Sequence, residues 1–201
     1  MIFSNEDIKK ALEQGHITIT PTPEADQYTT SALDLTLGDS FKVWDKDKLG
    51  LGGFDPVLDL SLQNFLNTAN AFLIDAPRET DNSVILKPYS ECKHHLLAMT
   101  REKIHLKREF GVAARVEGRS SLARLGLTVH LTAPTIQSGF KGPITLEIIN
   151  VGPFHIKFVP NKTKICQLIF EKLQSTASIE IATAFLGQTS PAGKSAKKKR
   201  K

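Results

Sequence analysis

An all-β domain of barrel or jelly-roll-like type, carrying one short N-terminal helix, is predicted by three observations on the 201-residue sequence. Short runs rich in Val, Ile, Thr and Phe recur along the chain and are bounded by Gly, Pro, Asn or Asp, the texture of strands and tight turns. Only one segment carries a full set of helix start and stop signals. No self-similarity appears at the 20–50-residue periods of solenoids or propellers.

The helix is predicted in FSNEDIKKALEQG. Ser4 is the N-cap and Asp7 stands where a capping box prefers Glu, while Phe3 and Ile8 occupy the positions of a hydrophobic staple and Gly15 supplies the stop. The strand candidates follow in order: ITITP, ALDLTLG, FKVWD, SVILKP, HLLAMT, VAARVEG, LTVHLTA, ITLEIIN, HIKFVP and KICQLIF. Closing ten or more such strands into a barrel or jelly roll buries the apolar face that their alternation creates. Residues 45–83 break the rhythm and read as a long insertion, part loop and, in LSLQNFL, part helix. The expected organisation is one domain over residues 1–189 containing this insertion, followed by a disordered basic tail at 190–201.

The net charge of +5 suggests a nucleic-acid binder until the cations are located. Six of the 26 basic residues (Lys194, Lys197, Lys198, Lys199, Arg200 and Lys201) lie in the last eight positions, so the body is near neutral and offers no DNA-binding face. Cys92 and Cys166 are the only cysteines and form no C-x-x-C pair, which argues against a disulfide framework and a cysteine zinc site. No run approaches the roughly 18 apolar residues of a membrane span, so a cytoplasmic protein is expected. The KKKRK run would serve as a nuclear address in a eukaryotic or viral setting.

Chemistry concentrates in GRSSLARLGLTVHLTAPTIQSGFKGPITLEIIN. Gly118, Arg119, Ser120 and Ser121 form a turn in which backbone N–H groups, hydroxyls and a guanidinium can converge on a phosphate, with Arg124 close behind. The same residues also suit a plain turn whose serines cap it and whose arginines lie on the surface. In ITLEII the period of two puts Ile144, Leu146 and Ile148 on one face and Thr145, Glu147 and Ile149 on the other. A partly buried Glu147 would have a raised pKa and could activate water; an exposed or ion-paired glutamate is the plainer alternative. His94 and His95 beside Cys92 lack a matching ligand pair, and His130 in TVHLT reads as a packed strand residue. GxSxG, Walker, GxGxxG and zinc-deaminase signatures are absent.

GRSSLARLGLTVHLTA, then GF-KG-ITLE-IN, then KICQLIFE resemble the dCTP deaminase branch of the dUTPase and dCTP deaminase superfamily. The opening helix, ITITP, SALDLTLGDSF and the late FLGQ fall in the family's order, so the resemblance covers most of residues 1–190 outside the insertion. Plain dUTPases usually carry Gly in place of the second serine, which makes RSSLAR point to the deaminase branch. The resemblance implies a dUTPase-like β-clip fold and a homotrimer with active sites between subunits. It implies dCTP bound as its Mg²⁺ complex through the triphosphate, with no catalytic zinc, and dTTP or dUTP as inhibitor or product. It assigns Glu147 to activating the water that attacks C4 of cytosine, giving dUTP and ammonia. Ser120 and Arg124 match the family's active-site serine and arginine, Arg119 and Ser121 complete the phosphate loop, and Ala133 helps place base and water. Gln137, Phe140 and Gln188 join the substrate-binding set.

Two departures stand out. Where the family usually reads I-D-x-G-F/W/Y, this chain has Ile136, Gln137, Ser138, Gly139 and Phe140. An amide cannot take a proton, so Gln137 argues against dUTP diphosphatase activity and against release of dUMP, while leaving a hydrogen bond to the sugar hydroxyl open. Ala184 and Phe185 stand where basic and aromatic residues usually precede the late glutamine. The competing expectation is a superfamily member that binds nucleotides without catalysis.

Overall fold

The computed structural model describes residues 1–50, 57–59, 61, 65–180 and 185–193. Helix α1 runs Asn5–Glu13. Its predicted capping box is present: Asp7 N donates to Ser4 Oγ (3.2 Å) and Ser4 N to Asp7 Oδ2 (3.0 Å). Ile8 is fully buried beneath it, and Gly15 leaves the helix in the left-handed region at φ 67°.

Eleven strands follow among the described residues: β1 (Ile17–Thr20), β2 (Leu33–Trp44), β3 (Leu73–Asp75), β4 (Val84–Leu86), β5 (Leu96–Leu106), β6 (Val112–Gly118), β7 (Leu127–Thr128), β8 (Thr135–Ile136), β9 (Lys141–Asn150), β10 (Ile156–Phe158) and β11 (Lys164–Lys172). Every pairing among them is antiparallel, and the mostly-β prediction holds. One sheet runs β7-β9-β5-β2-β11-β6-β8, with β1 added on β5 and β3 on β2, and β10 pairs β4 apart from it. Strand β2 changes partner along its length, from β11 at Leu33–Thr36 to β5 at Leu37–Lys42, and so turns the sheet over its own core. That core includes Leu33, Leu35, Phe41, Leu96, Ile104, Leu146, Ile148, Leu168 and Phe170, all 0–1% exposed. Truncating any one to Ala typically costs about 2–5 kcal/mol.

The strands are longer than the sequence runs suggest. ALDLTLG and FKVWD form a single strand, because Gly38 sits in a bulge and does not end it. A Cβ there would lie 3.2 Å from the carbonyl oxygens of Met99 and Thr100, a close approach that only glycine tolerates cheaply. HLLAMT continues to Leu106 through a second bulge, whereas LTVHLTA pairs over only two residues.

Helices also outnumber the prediction. Besides α1 there are α2 (Lys46–Gly50), α3 (Phe65–Phe72), α4 (Tyr89–Cys92) and α5 (Ser120–Ala123). Within the predicted insertion, helix α3 starts at the end of LSLQNFL, and β3 extends the main sheet; much of the remainder, 51–56, 60 and 62–64, lies outside the described residues. The basic run 194–201 lies outside them too. Residues 190–193 correct the expected tail boundary, for Ser190 bridges Gly193 and Pro191 is buried. Pro191 packs into the wall of a cavity, so this TSPAG turn has an apolar anchor that its polar composition conceals.

Candidate active site

Three neighbouring strands bring the first group of side chains together. Lys42 on β2 pairs with Leu97 on β5, which pairs with Glu147 on β9, so Trp44, His95, Thr145 and Glu147 collect at one end of the sheet. On β9 the residues Ile144, Leu146 and Ile148 are buried at 0–2% exposure while Thr145 and Glu147 are half-buried, the alternation that ITLEII predicts. Trp44, His95, Thr145 and Glu147 line a cavity of about 380 Å³ together with Phe65, Ala133, Phe140, Phe185, Gln188 and Pro191. Its size is at the lower end of the range for small-molecule sites.

Burial pushes the Glu147 carboxyl above the usual glutamate range. Backbone N–H bonds from Leu131 and from Glu147 itself, with the nearby His130, pull in the other direction without cancelling it. The Trp44 Nε1–H donates to His95 Nε2 at 3.3 Å. Indole nitrogen can only donate, so that imidazole nitrogen carries no proton. Burial, and secondarily His94, lowers the pKa of His95 and keeps the ring neutral, in agreement with this tautomer.

The Arg-Ser-Ser turn is a separate piece of architecture. Arg119 caps α5, whose Ser120 and Ser121 are exposed, as is Arg124 just after it. Arg119 is committed inward: its Nε lies 3.3 Å from Asp34 Oδ2 and its Nη1 donates to the Lys164 carbonyl at 3.3 Å. Asp34, 5% exposed, is held from its other oxygen by Gln167 Nε2 at 2.9 Å. The chain leaves the turn through Gly126, at φ 88°, where a Cβ would collide with the Gly152 backbone. Asn150, 1% exposed, anchors that crossing through Gly152 N at 3.1 Å and the Phe154 carbonyl at 2.6 Å.

The structure therefore divides the sequence-derived residues. Ala133, Phe140, Glu147 and Gln188 share the cavity. Arg119, Ser120, Ser121 and Arg124 do not line it, and Gln137 lies exposed, its carbonyl accepting from Phe140 N at 3.0 Å. Ala184 lies outside the described residues. Sequence reasoning missed Trp44, Phe65 and Thr145 as cavity residues. Only Thr145 left a signal, because it shares the face of Glu147; the others arrive through strand order and through the Phe65–Phe185 ring contact at 5.5 Å. Cys92, His94 and His155 border a different, larger hollow of about 710 Å³, floored by Val43, Val84, Leu86 and Leu96. None of the residues that the family resemblance assigns lies there. Cys166 is buried inside the sheet, where burial, with Glu102 and Asp34 adding, raises its thiol pKa.

This architecture is shared with an enzyme of nucleotide metabolism. The crystal structure of 2'-deoxycytidine 5'-triphosphate deaminase from Agrobacterium tumefaciens aligns with 84% of this chain and 47% of its own at a TM-score of 0.57 and 19% identity, a likeness of fold; the chain thus spans about half the length of that protein. The chain belongs to the dCTP deaminase-like family, whose model matches residues 2–173. It is 36% identical over 196 residues to the dUMP-forming dCTP deaminase of Methanosphaera stadtmanae, covering 94% of this chain and 91% of that one. It is 35% identical over 178 residues to the dCTP deaminase of Rhodospirillum rubrum, covering 89% and 86%.

Proposed function

We propose that the protein deaminates dCTP by hydrolysis, with Glu147 as the proton-transferring group. One observation carries this reading: a half-buried carboxylate of raised pKa stands in an aromatic-walled cavity, in a chain whose relatives are named dCTP deaminases. Glu147 takes a proton from water as the oxygen bonds to C4, and passes it to N3. The C4–N4 bond then breaks with proton transfer to the departing nitrogen, releasing ammonia and leaving the uracil carbonyl. A carboxyl held above its ordinary range both accepts and returns protons more readily near neutrality.

The triphosphate belongs to the Arg-Ser-Ser turn under this proposal. Ser120, Ser121 and Arg124 are exposed and absent from the walls of the cavity of their own chain, which supports a homotrimer in which each turn completes a neighbour's site. Mg²⁺ enters with the substrate phosphates, to which it supplies charge neutralisation, and the exposed hydroxyls and guanidinium of the turn supply the remaining contacts.

The product is the point on which two readings differ. Gln137 favours dUTP, because an amide cannot activate water against the phosphate chain. The name of the Methanosphaera relative favours continued hydrolysis to dUMP. Incubating the purified protein with dCTP and Mg²⁺, separating nucleotides and measuring pyrophosphate tests both. Accumulating dUTP without pyrophosphate is the expected result. Stoichiometric dUMP and pyrophosphate would establish the second reading, and unchanged dCTP would overturn the deaminase proposal.

A further inference from the structure

We propose that the indole of Trp44 is the surface on which the pyrimidine ring stacks, and that His95 is the positioning residue that sets the indole. This rests on the deaminase reading above and adds to it what holds the base. Trp44 ends β2, and continuing the pairs Phe41–Ala98 and Lys42–Leu97 by two residues sets it opposite His95, just before β5. Both line the cavity of Glu147. Leu97, the direct partner of Glu147, lies on the strand between that of the indole and that of the carboxyl. Strands two positions apart in a sheet are separated by about 10 Å, a span that one pyrimidine ring bridges.

Four aromatic rings wall this cavity, and three of them are engaged elsewhere. Phe65 and Phe185 pack on each other at 5.5 Å with 59° between their planes, and Phe140 packs against the core. Trp44 is held differently. Its Nε1–H donates to His95 Nε2 at 3.3 Å, with 73° between the ring planes and the centroids 6.4 Å apart. An N–H bond leaves in the plane of the indole, so this tie holds the ring by one edge and covers neither face. Trp44 also borders the larger hollow of about 710 Å³, which makes it a partition between that hollow and the catalytic cavity. A flat ring fixed at its edge, beside a carboxyl that handles protons, is a platform for a base, since every base has a π-face to lay on it.

The tie depends on the state of the imidazole. Indole nitrogen only donates, so His95 must keep Nε2 bare and carry its proton on Nδ1. Burial, which keeps this ring neutral, meets that requirement. His95 therefore acts on the base through Trp44.

Trp44 is the one tryptophan of the chain, so its emission reports on this ring alone. Binding is followed by calorimetry and by that emission in the Glu147→Gln background, so that dCTP survives, with dCTP and, as a probe without a base, inorganic triphosphate, each with Mg²⁺. The expected result is that dCTP quenches Trp44 and inorganic triphosphate does not. In the same protein ¹⁵N NMR should show His95 with its proton on Nδ1, and neither measurement needs a change at Trp44 or His95. His95→Phe keeps a ring and removes the acceptor, and should weaken dCTP binding by about ten-fold while leaving inorganic triphosphate unaffected. His95→Gln, whose carbonyl can accept from the indole, should restore most of the loss. Bound dCTP that leaves the emission unchanged overturns the stacking assignment. A proton on Nε2, or equal dCTP affinity in folded His95→Phe and His95→Gln, overturns the positioning role. Wild-type turnover of dCTP without quenching in the Glu147→Gln protein leaves the deaminase reading standing and removes this inference, whereas quenching without wild-type turnover does the reverse. A dCTP that does not bind overturns both.

Discussion

Strand β9 and the Arg-Ser-Ser turn lie close in sequence and differ in every physical respect. Glu147 sits on a strand paired on both sides, half-buried beside aromatic rings, and its carboxyl is shifted by that environment. Ser120, Ser121 and Arg124 are exposed, and the turn reaches the interior chiefly through Arg119 and Asp34. The strand residue is enclosed by its own chain, whereas Ser120, Ser121 and Arg124 of the turn face outward. A site for a charged nucleotide needs both kinds of surface, since the base favours a dry slot and the phosphates favour donors that stay hydrated until they bind. Under the deaminase proposal, one chain thus carries two half-sites that face different partners.

The largest predicted effect tests the strand half. Glu147→Gln should lower the deamination rate by at least about 10²–10⁴-fold while dCTP binding persists, because it removes proton transfer and almost no volume. Single-turnover assays beside equilibrium binding read the two separately, and wild-type turnover would remove Glu147 from the chemistry. Arg124→Ala tests the turn half. It should cost about 1.5–3 kcal/mol of triphosphate affinity, the range for hydrogen bonds to charged groups. The comparison sharpens when the two variants are mixed and refolded together and assayed at a dCTP concentration at which neither alone turns over. If the halves meet between chains, about one quarter of interfaces pair an intact Glu147 with an intact Arg124 and activity returns. No recovery would mean that both halves serve the same chain.

Much of the strand half was legible in the sequence. Period-two alternation fixed the face of Glu147 and, without being used, that of Thr145. The capping box of Ser4 and Asp7 was equally readable, being local chemistry over four residues. Other features were not legible, for a common reason. Gly38 read as a strand end because a bulge and a turn use the same residue, and only the close passage of β5 decides between them. Trp44, His95 and Phe65 meet at the cavity through strand order and ring packing, contacts between residues far apart in the chain. Arg119 read as a phosphate ligand from its neighbours, yet the acid that holds it, Asp34, lies 85 positions earlier.

That ion pair gives a smaller effect on the turn half. Asp34→Asn keeps the hydrogen-bonding shape beside Gln167 but removes the charge opposite Arg119. Arg119 is a third exposed and water takes up part of the loss, so a stability cost of about 1–3 kcal/mol in urea melts is expected. Triphosphate affinity should fall as the turn loosens. Unchanged binding in a destabilised protein would show that α5 keeps its position without this tether.

The smallest predicted effect returns to Glu147 and concerns folding alone. Its pKa is raised in the folded protein, mainly by burial, so the charged form is the one that folding disfavours. Below the ordinary glutamate range the carboxyl is protonated in both states and costs nothing. As pH climbs from that range through the raised folded value, the unfolded chain sheds the proton first. The folded state then binds more protons, and stability falls with rising pH. Above both values the cost is complete and constant. The amide of the Glu147→Gln variant carries no charge and still accepts from the Leu131 N–H through its carbonyl. The variant should therefore melt with the wild type in acid and modestly above it at neutral pH, the gap opening across that window. A gap that closes as pH rises would mean that the carboxylate is stabilised by its surroundings, and would undercut the use of Glu147 as a base poised by burial.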